Sequence, residues 1–119
     1  MTDFNKAVEL AEKDLLINPG NPGTLSNLAS YYSMLNNKAE AIRYLEKSLR
    51  LSPGDVETGA KGVVTYETLG EREKAINLAE KILGKGYPVS NLEKSPDLKN
   101  MLKDKRFEKL IRRYSRTNK

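Results

Sequence analysis

The chain contains no cysteine and no histidine. Without cysteine there are no disulfides and no thiolate chemistry, and without histidine the usual general base near neutral pH is missing. The two absences exclude Ser-His and Cys-His catalysis and the common zinc ligands. The sequence also lacks a run of about 18 apolar residues, which a membrane-spanning helix requires. No basic start followed by an apolar run is visible after Met1, so we expect a cytoplasmic protein.

Basic charge is concentrated near the C-terminus. Residues 1–94 carry 12 Lys and Arg against 13 Asp and Glu, whereas residues 95–119 carry 9 against 3. This basic tail is either the solvated face of a last helix or a surface for nucleic acid or an anionic membrane. Aromatic interleaving is limited to Phe107 and Tyr114, so nucleic acid is not an expected partner. The candidate tail residues are Lys105, Arg106, Lys109, Arg112, Arg113 and Arg116.

Apolar residues recur at helical spacing, and strand patterns are absent. The pattern predicts helices over about 4–17, 22–35, 38–51, 56–69 and 71–83, and a short helical turn at 89–94. Ser95-Pro96 predicts the start of a further helix, and Asp104 is the expected cap of the last one. Helices joined by short turns favour antiparallel neighbours. With helix patterns throughout and no strand pattern, the predicted fold class is all-α.

Three segments repeat at a spacing of 34 residues. Residues 6–13, 40–47 and 74–81 read KAVELAEK, EAIRYLEK and KAINLAEK. A fixed period of this length is the signature of stacked helical repeats. Such arrays present extended surfaces, so the pattern favours binding over catalysis.

One segment carries the repeat pattern in full. Residues 22–55 contain Leu25, Leu28-Ala29, Tyr32, Ala41, Leu45 and Pro53. This pattern resembles the tetratricopeptide repeat (TPR) family. The resemblance implies one domain, residues 1–119, folded as a right-handed α-α superhelix of about 2.5 repeats. Its parts would be a half repeat at 3–21, repeats at 22–55 and 56–88, and capping helices at 89–116.

The resemblance also implies a non-catalytic protein–protein interaction module that binds a protein or peptide in a concave groove. No metal, cofactor or small-molecule substrate is implied, and carboxylates such as Glu67, Glu71 and Glu73 are expected to be solubilising. Some members hold a C-terminal carboxylate with Asn and Lys. Asn27 and Lys61 match two such positions, but Glu57 stands where a Lys is expected and the preceding groove helix is missing. The implied groove residues are Ser26, Asn27, Ser30, Ser33, Met34, Lys61, Val64, Glu67 and Thr68.

The C-terminal segment has a second resemblance. Gly86-Tyr87-Pro88, Ser95-Pro96-Asp97-Leu98 and Asp104-Lys105-Arg106-Phe107 are similar to the segment that closes TPR arrays in bacterial eukaryotic-like protein kinases and adenylate cyclases. An array needs such an end, with one apolar and one polar face. The residues expected to cover the last repeat are Leu98, Met101, Leu102, Phe107, Leu110 and Ile111.

Two departures from the family pattern stand out. Gly59 and Gly62 occupy positions where large apolar residues are expected, which indicates either close packing against a neighbouring helix or a hinge or partner surface. The first repeat has only its second helix. We therefore expect an exposed apolar patch among Phe4, Val8 and Leu15, covered by another copy of the chain or by an upstream domain.

Overall fold

The computed structural model describes residues 4–117, with side chains from Asn5 to Ser115, and within this range all regular structure is helical. The all-α fold predicted from the sequence is confirmed. None of the helices between residues 4 and 117 combines the length and the apolar composition that a membrane span needs. The α-helices are α1 (Phe4–Ile17), α2 (Pro22–Met34), α3 (Lys38–Leu51), α4 (Val56–Thr68), α5 (Arg72–Gly84), α6 (Val89–Glu93) and α7 (Lys105–Thr117), and two 3₁₀ turns cover Pro96–Leu98 and Met101–Lys103.

Polar caps set the helix ends at the predicted places. Asn21 Oδ1 accepts a hydrogen bond from Gly23 N at 3.0 Å, and Asp55 Oδ1 accepts from Glu57 N at 3.1 Å. These bonds satisfy backbone donors that the first turn of a helix leaves free. Gly70 ends α4 with a φ of 79°, a left-handed conformation that glycine adopts without a Cβ clash.

The helix predicted to begin at Ser95-Pro96 is wrong in type, since the chain forms two 3₁₀ turns there. The Ser95 side chain makes no capping bond. Leu98 and Met101, three residues apart, are both fully buried. Two short turns separated by Lys99 and Asn100, instead of one α-helix, therefore place both side chains in the core.

The helices pack in consecutive pairs, as in a helical-repeat solenoid. The most extensive contacts join α2 to α3 and α4 to α5. Between the pairs, α1 packs against α2, and α4 packs against both α2 and α3. The first helices of the two pairs therefore lie next to each other and form one face of the molecule.

The 34-residue period also appears as a repeated side-chain contact. Tyr32 Oη donates to Glu12 at 3.1 Å, and Tyr66 Oη donates to Glu46 at 3.2 Å. Burial raises the pKa of both phenols to about 12, and the glutamate acceptors add to the shift. The next glutamate in the series, Glu80, pairs instead with Arg113 of α7 at 3.2 Å. The part of the chain from α6 to α7, here called the capping segment, thus takes over the contact that a further repeat would make.

The capping segment covers the end of the array as predicted. Leu98, Met101 and Phe107 are fully buried and Leu110 is 6% exposed, while Leu102 and Ile111 pack half-buried against the same core. The Pro96–Leu98 turn contacts α4, and α7 contacts α5 and α6. Burial of these side chains is what holds the segment on the last repeat.

Gly59 and Gly62 are sites of close helix packing. Both are buried. A Cβ at Gly62 would lie 2.7 Å from Leu78 Cδ2 and 3.2 Å from Leu45 Cδ1, and one at Gly59 would run into Ile82. Of the two interpretations of these glycines, the structure supports close packing, and side chains of the chain itself leave no room there for a partner.

Candidate functional site

A groove runs along the face built from α2, α4 and α6. It consists of two neighbouring depressions, one of about 240 Å³ between α2 and α4 and one of about 230 Å³ between α4 and the capping segment. Lys61 and Val64 line both depressions, so the two are parts of one surface. The first is also lined by Ser26, Asn27, Ser30 and Thr65, and the second by Glu57, Ala60, Tyr87, Asn91, Leu92, Ser95 and Leu98.

Five of the predicted groove residues come together in the first depression. Asn27 and Lys61 are exposed there, and Ser30 is half-buried. Ser26 is only 4% exposed, and its hydroxyl lies 2.8 Å from that of Ser48, which donates to Pro22 O at 2.9 Å. Ser26 therefore joins α2 to α3, and Asn27, Ser30 and Lys61 carry the accessible polar groups. The remaining one, Val64, is apolar.

Four predicted groove residues line neither depression. The prediction that Ser33 is a groove residue is wrong, because its side chain is buried and its hydroxyl donates to Ser30 O at 2.7 Å. Met34 is half exposed at the end of α2, and Thr68 donates to Val64 O at 2.9 Å at the end of α4. The fourth, Glu67, accepts two hydrogen bonds of 2.7 Å from the guanidinium of Arg72. Its charge is therefore already paired.

The capping segment contributes groove residues that the sequence analysis assigned only to a cap. Asn91 is exposed and Ser95 is half-buried, and both line the second depression. The 34-residue spacing is a signal that identifies them, since Glu57 is followed by Asn91 and Asn27 by Lys61 and Ser95. The repeat register thus continues into the cap, although the repeat sequence pattern does not.

The basic tail forms the outward face of α7. Its five residues with described side chains are exposed, and Arg116 lies outside the described side chains. Arg106 pairs with Asp104 at 3.1 Å, Arg112 with Glu108 at 3.8 Å, and Arg113 with Glu80. Hydrogen bonds from Arg106 lower the pKa of Asp104 to about 2, and Arg72 adds to this effect. Much of the charge is therefore neutralised within the fold.

The apolar patch on α1 differs from the predicted one. Val8 is 8% exposed because α1 packs against α2, Leu15 is half-buried, and the Phe4 side chain lies outside the described residues. The exposed apolar side chains are Leu16 at 85% and Ile17 at 86%, with Leu10 at 55%. Coverage of this edge by a second copy of the chain stays a prediction.

One segment of the chain matches a known family. Residues 22–55, which span α2 and α3, match the tetratricopeptide repeat model. Repeats of this family generally act as protein–protein interaction modules and are typically non-catalytic. No curated protein matches the chain. The resemblance of the capping segment to the ends of kinase and cyclase arrays stays a prediction.

Proposed function

We propose that this chain is a non-catalytic interaction module that binds an extended segment of a partner protein in the groove. The observation that carries the proposal is the pair of adjoining depressions that share Lys61 and Val64. The tetratricopeptide match of residues 22–55 supports the general function. The groove offers polar groups for a peptide backbone and apolar contacts for its side chains, the combination that peptide recognition requires.

The two depressions differ in chemistry. Asn27 in the first and Asn91 in the second are exposed amides, and each offers both a donor and an acceptor to backbone groups. The accessible lining of the first depression is the more apolar of the two, because Leu92 and Leu98 of the second are almost fully buried. We expect the first depression to hold an apolar side chain of the partner beside Val64, and the second to hold backbone and polar groups beside Asn91 and Ser95.

Lys61 stands between the two depressions and lines both. Lys61 forms no ion pair within the described residues. Glu57 lies four residues before it on α4, which is about one helical turn. An acidic group on the partner would gain a charge-assisted hydrogen bond there. Lys61 is therefore the groove residue whose removal should affect binding most.

The structure gives less support to the alternative, an anionic-surface site on the basic tail. Three of its five described cations are paired with carboxylates. The apolar face of α7 is buried through Phe107 and Leu110, so it is not available to enter a membrane interface. We do not propose this function for the chain.

Site-specific photo-crosslinking tests the groove. A photoreactive residue is placed at Asn27, at Asn91 or, as a control outside both depressions, at Lys47. We expect Asn27 and Asn91 to capture the same partner and Lys47 to capture none. Binding of that partner, measured by calorimetry, should weaken about tenfold with Lys61→Ala, a loss typical of one interface contact. Capture from Lys47 alone, with Lys61→Ala without effect, would contradict the proposal.

A further inference from the structure

The two complete repeats, here called the first (α2 and α3) and the second (α4 and α5), differ beside their equivalent tyrosines. In the first, Tyr44 of α3 stacks on Tyr32, with ring centroids 5.6 Å apart and planes 3° apart. In the second, the position equivalent to Tyr44 is Leu78, next to Tyr66. The ring that covers the first tyrosine thus has no counterpart over the second.

The glycines of α4 explain this difference. Gly62 stands where α2 has Leu28. The Leu78 side chain fills the space this leaves, since its Cδ2 would be 2.7 Å from a Cβ on Gly62. Ile82 does the same above Gly59, where the first repeat instead has a leucine on its first helix. Leu78 and Ile82 of α5 are thus turned toward α4, and space is left between α5 and α3.

That space is a furrow between α3 and α5, with a volume of about 270 Å³. An apolar cavity of about 150 Å³ is enough for benzene, so the furrow has room for one aromatic ring. It shares no lining residue with the groove. The residues that matter in it are Glu46, Leu49, Tyr66, Lys74, Leu78 and Lys81.

The rim of the furrow is basic. Lys74 lies 3.8 Å from Glu46, with its Nζ 5.8 Å from the ring centroid of Tyr66, and Lys81 forms no ion pair within the described residues. At the equivalent place in the first repeat, Glu40 pairs with Arg43 at 2.7 Å, and Glu12 and Lys47 stand where the second has Glu46 and Lys81, so the charges there balance. The second repeat therefore has an open, positively charged site where the first has a filled, neutral one.

We propose that the furrow binds an aromatic side chain from an acidic segment of a partner protein. The ring packs between Leu49 and Leu78 above Tyr66, in the place that the ring of Tyr44 takes in the first repeat. A carboxylate beside the ring pairs with Lys81, and Lys74, which already lies 3.8 Å from Glu46, adds its charge to the rim; such charge complementarity also speeds association. Buried aromatic residues are frequent anchors of protein interfaces.

Binding is tested by NMR titration of the full chain with the peptide acetyl-Asp-Asp-Phe-Asp-Asp-amide. We expect saturable shifts at the amides of Leu49, Leu78 and Lys81. The same peptide with Ala in place of Phe should bind at least tenfold more weakly. Lys81→Glu should weaken binding at least fivefold, while Lys47→Glu, its equivalent one repeat earlier, should leave the affinity unchanged.

A second variant closes the furrow. Gly62→Leu combined with Leu78→Tyr installs the pair found in α2 and α3 and should abolish the shifts. If the amide spectrum shows that this variant does not fold, the Ala peptide and the two lysine variants decide the question. Absence of saturable shifts, equal binding of the Ala peptide, or an equal effect of Lys47→Glu would overturn the proposal. Shifts at Asn27 and Lys61 in place of the furrow would overturn it as well, while agreeing with binding in the groove.

Discussion

The two ends of the array are built in opposite ways. At the C-terminal end, α7 buries Phe107 and Leu110 and turns an exposed row of cations outward. At the other end, α1 leaves Leu16 and Ile17 more than four-fifths exposed. Both are edge helices, but only one presents the polar outer face that the end of a stacked array requires.

The difference follows from what stands beside each edge. The capping segment continues the repeat register, so that Leu98 packs against α4, and Arg113 replaces a tyrosine as the partner of Glu80. Within the described residues, no first helix of its own repeat lies against α1. Leu10 is therefore 55% exposed, whereas its equivalents Tyr44 and Leu78 are half-buried against α2 and α4. Whether the apolar side chains of an edge helix are buried therefore depends mainly on a neighbouring helix that packs against them, and less on the polarity of the edge helix itself.

The largest expected effect is loss of the capping core. Phe107→Ala removes a fully buried ring, and we expect the free energy of unfolding to fall by about 3–5 kcal/mol. Leu16→Ala, at the open end, should change it by less than about 0.5 kcal/mol. Urea unfolding followed by circular dichroism measures both. A loss below 1 kcal/mol for Phe107→Ala would show that α7 is not docked as described.

The charge contacts that attach the cap should have a smaller effect. Arg72 joins Glu67 of α4 to Asp104, whose Oδ1 accepts the Arg106 N–H at the start of α7. Because the Glu67 side chain is only 11% exposed, Arg72→Ala leaves a poorly solvated carboxylate unpaired, and we expect a loss of about 1–2 kcal/mol. The exposed pair Arg43–Glu40 is the matched control, and Arg43→Ala should cost about 0.5 kcal/mol or less. Equal losses would remove the distinction between the cap contact and a surface pair.

Much of the fold follows from the sequence because helix periodicity, caps and the 34-residue spacing are local signals. Asn21, Asp55 and Gly70 mark helix ends through their own side-chain or backbone chemistry. The 3₁₀ turns after Ser95 do not follow, because their geometry depends on burying Leu98 and Met101 together. Propensity is overruled where tertiary packing sets the shape of a short segment.

The candidate site is less predictable than the fold. Asn27 and Lys61 line the same depression because they occupy equivalent places on neighbouring first helices. Asn91 is not found from repeat motifs, because the capping segment keeps the 34-residue spacing of the array but not its sequence pattern. The furrow depends on where the side chain of Leu78 turns when Gly62 gives it space, and a residue type alone does not give that direction.

Acid should lower the free energy of unfolding through the C-terminal end of the array, where Asp104 lies. The pKa of Asp104 is lowered to about 2 in the folded protein, against about 3.9 for an unperturbed aspartate. The folded state thus binds fewer protons here, so this stabilisation is present above pH 4 and is lost as the pH falls from about 4 to 2. Asp104→Asn should flatten the dependence of stability on pH in this window. Asp97→Asn, which removes a carboxylate without an ion pair in the described structure, is the control, and equal flattening by both would contradict the assignment to Asp104.

The smallest effect on stability is expected at the open end, where the change should appear in assembly. Leu16→Lys with Ile17→Lys replaces two highly exposed apolar side chains, so the free energy of unfolding should change by about 0.5 kcal/mol or less. If this edge pairs with a second copy, the sedimentation mass of the unaltered chain rises above 13.4 kDa with concentration. The double variant should remain at the monomer mass, and Lys109→Glu on α7 should behave like the unaltered chain. A monomer mass at all concentrations for the unaltered chain would mean that the exposed apolar edge does not pair with a second copy under these conditions, and that the two ends differ in their packing but not in self-association.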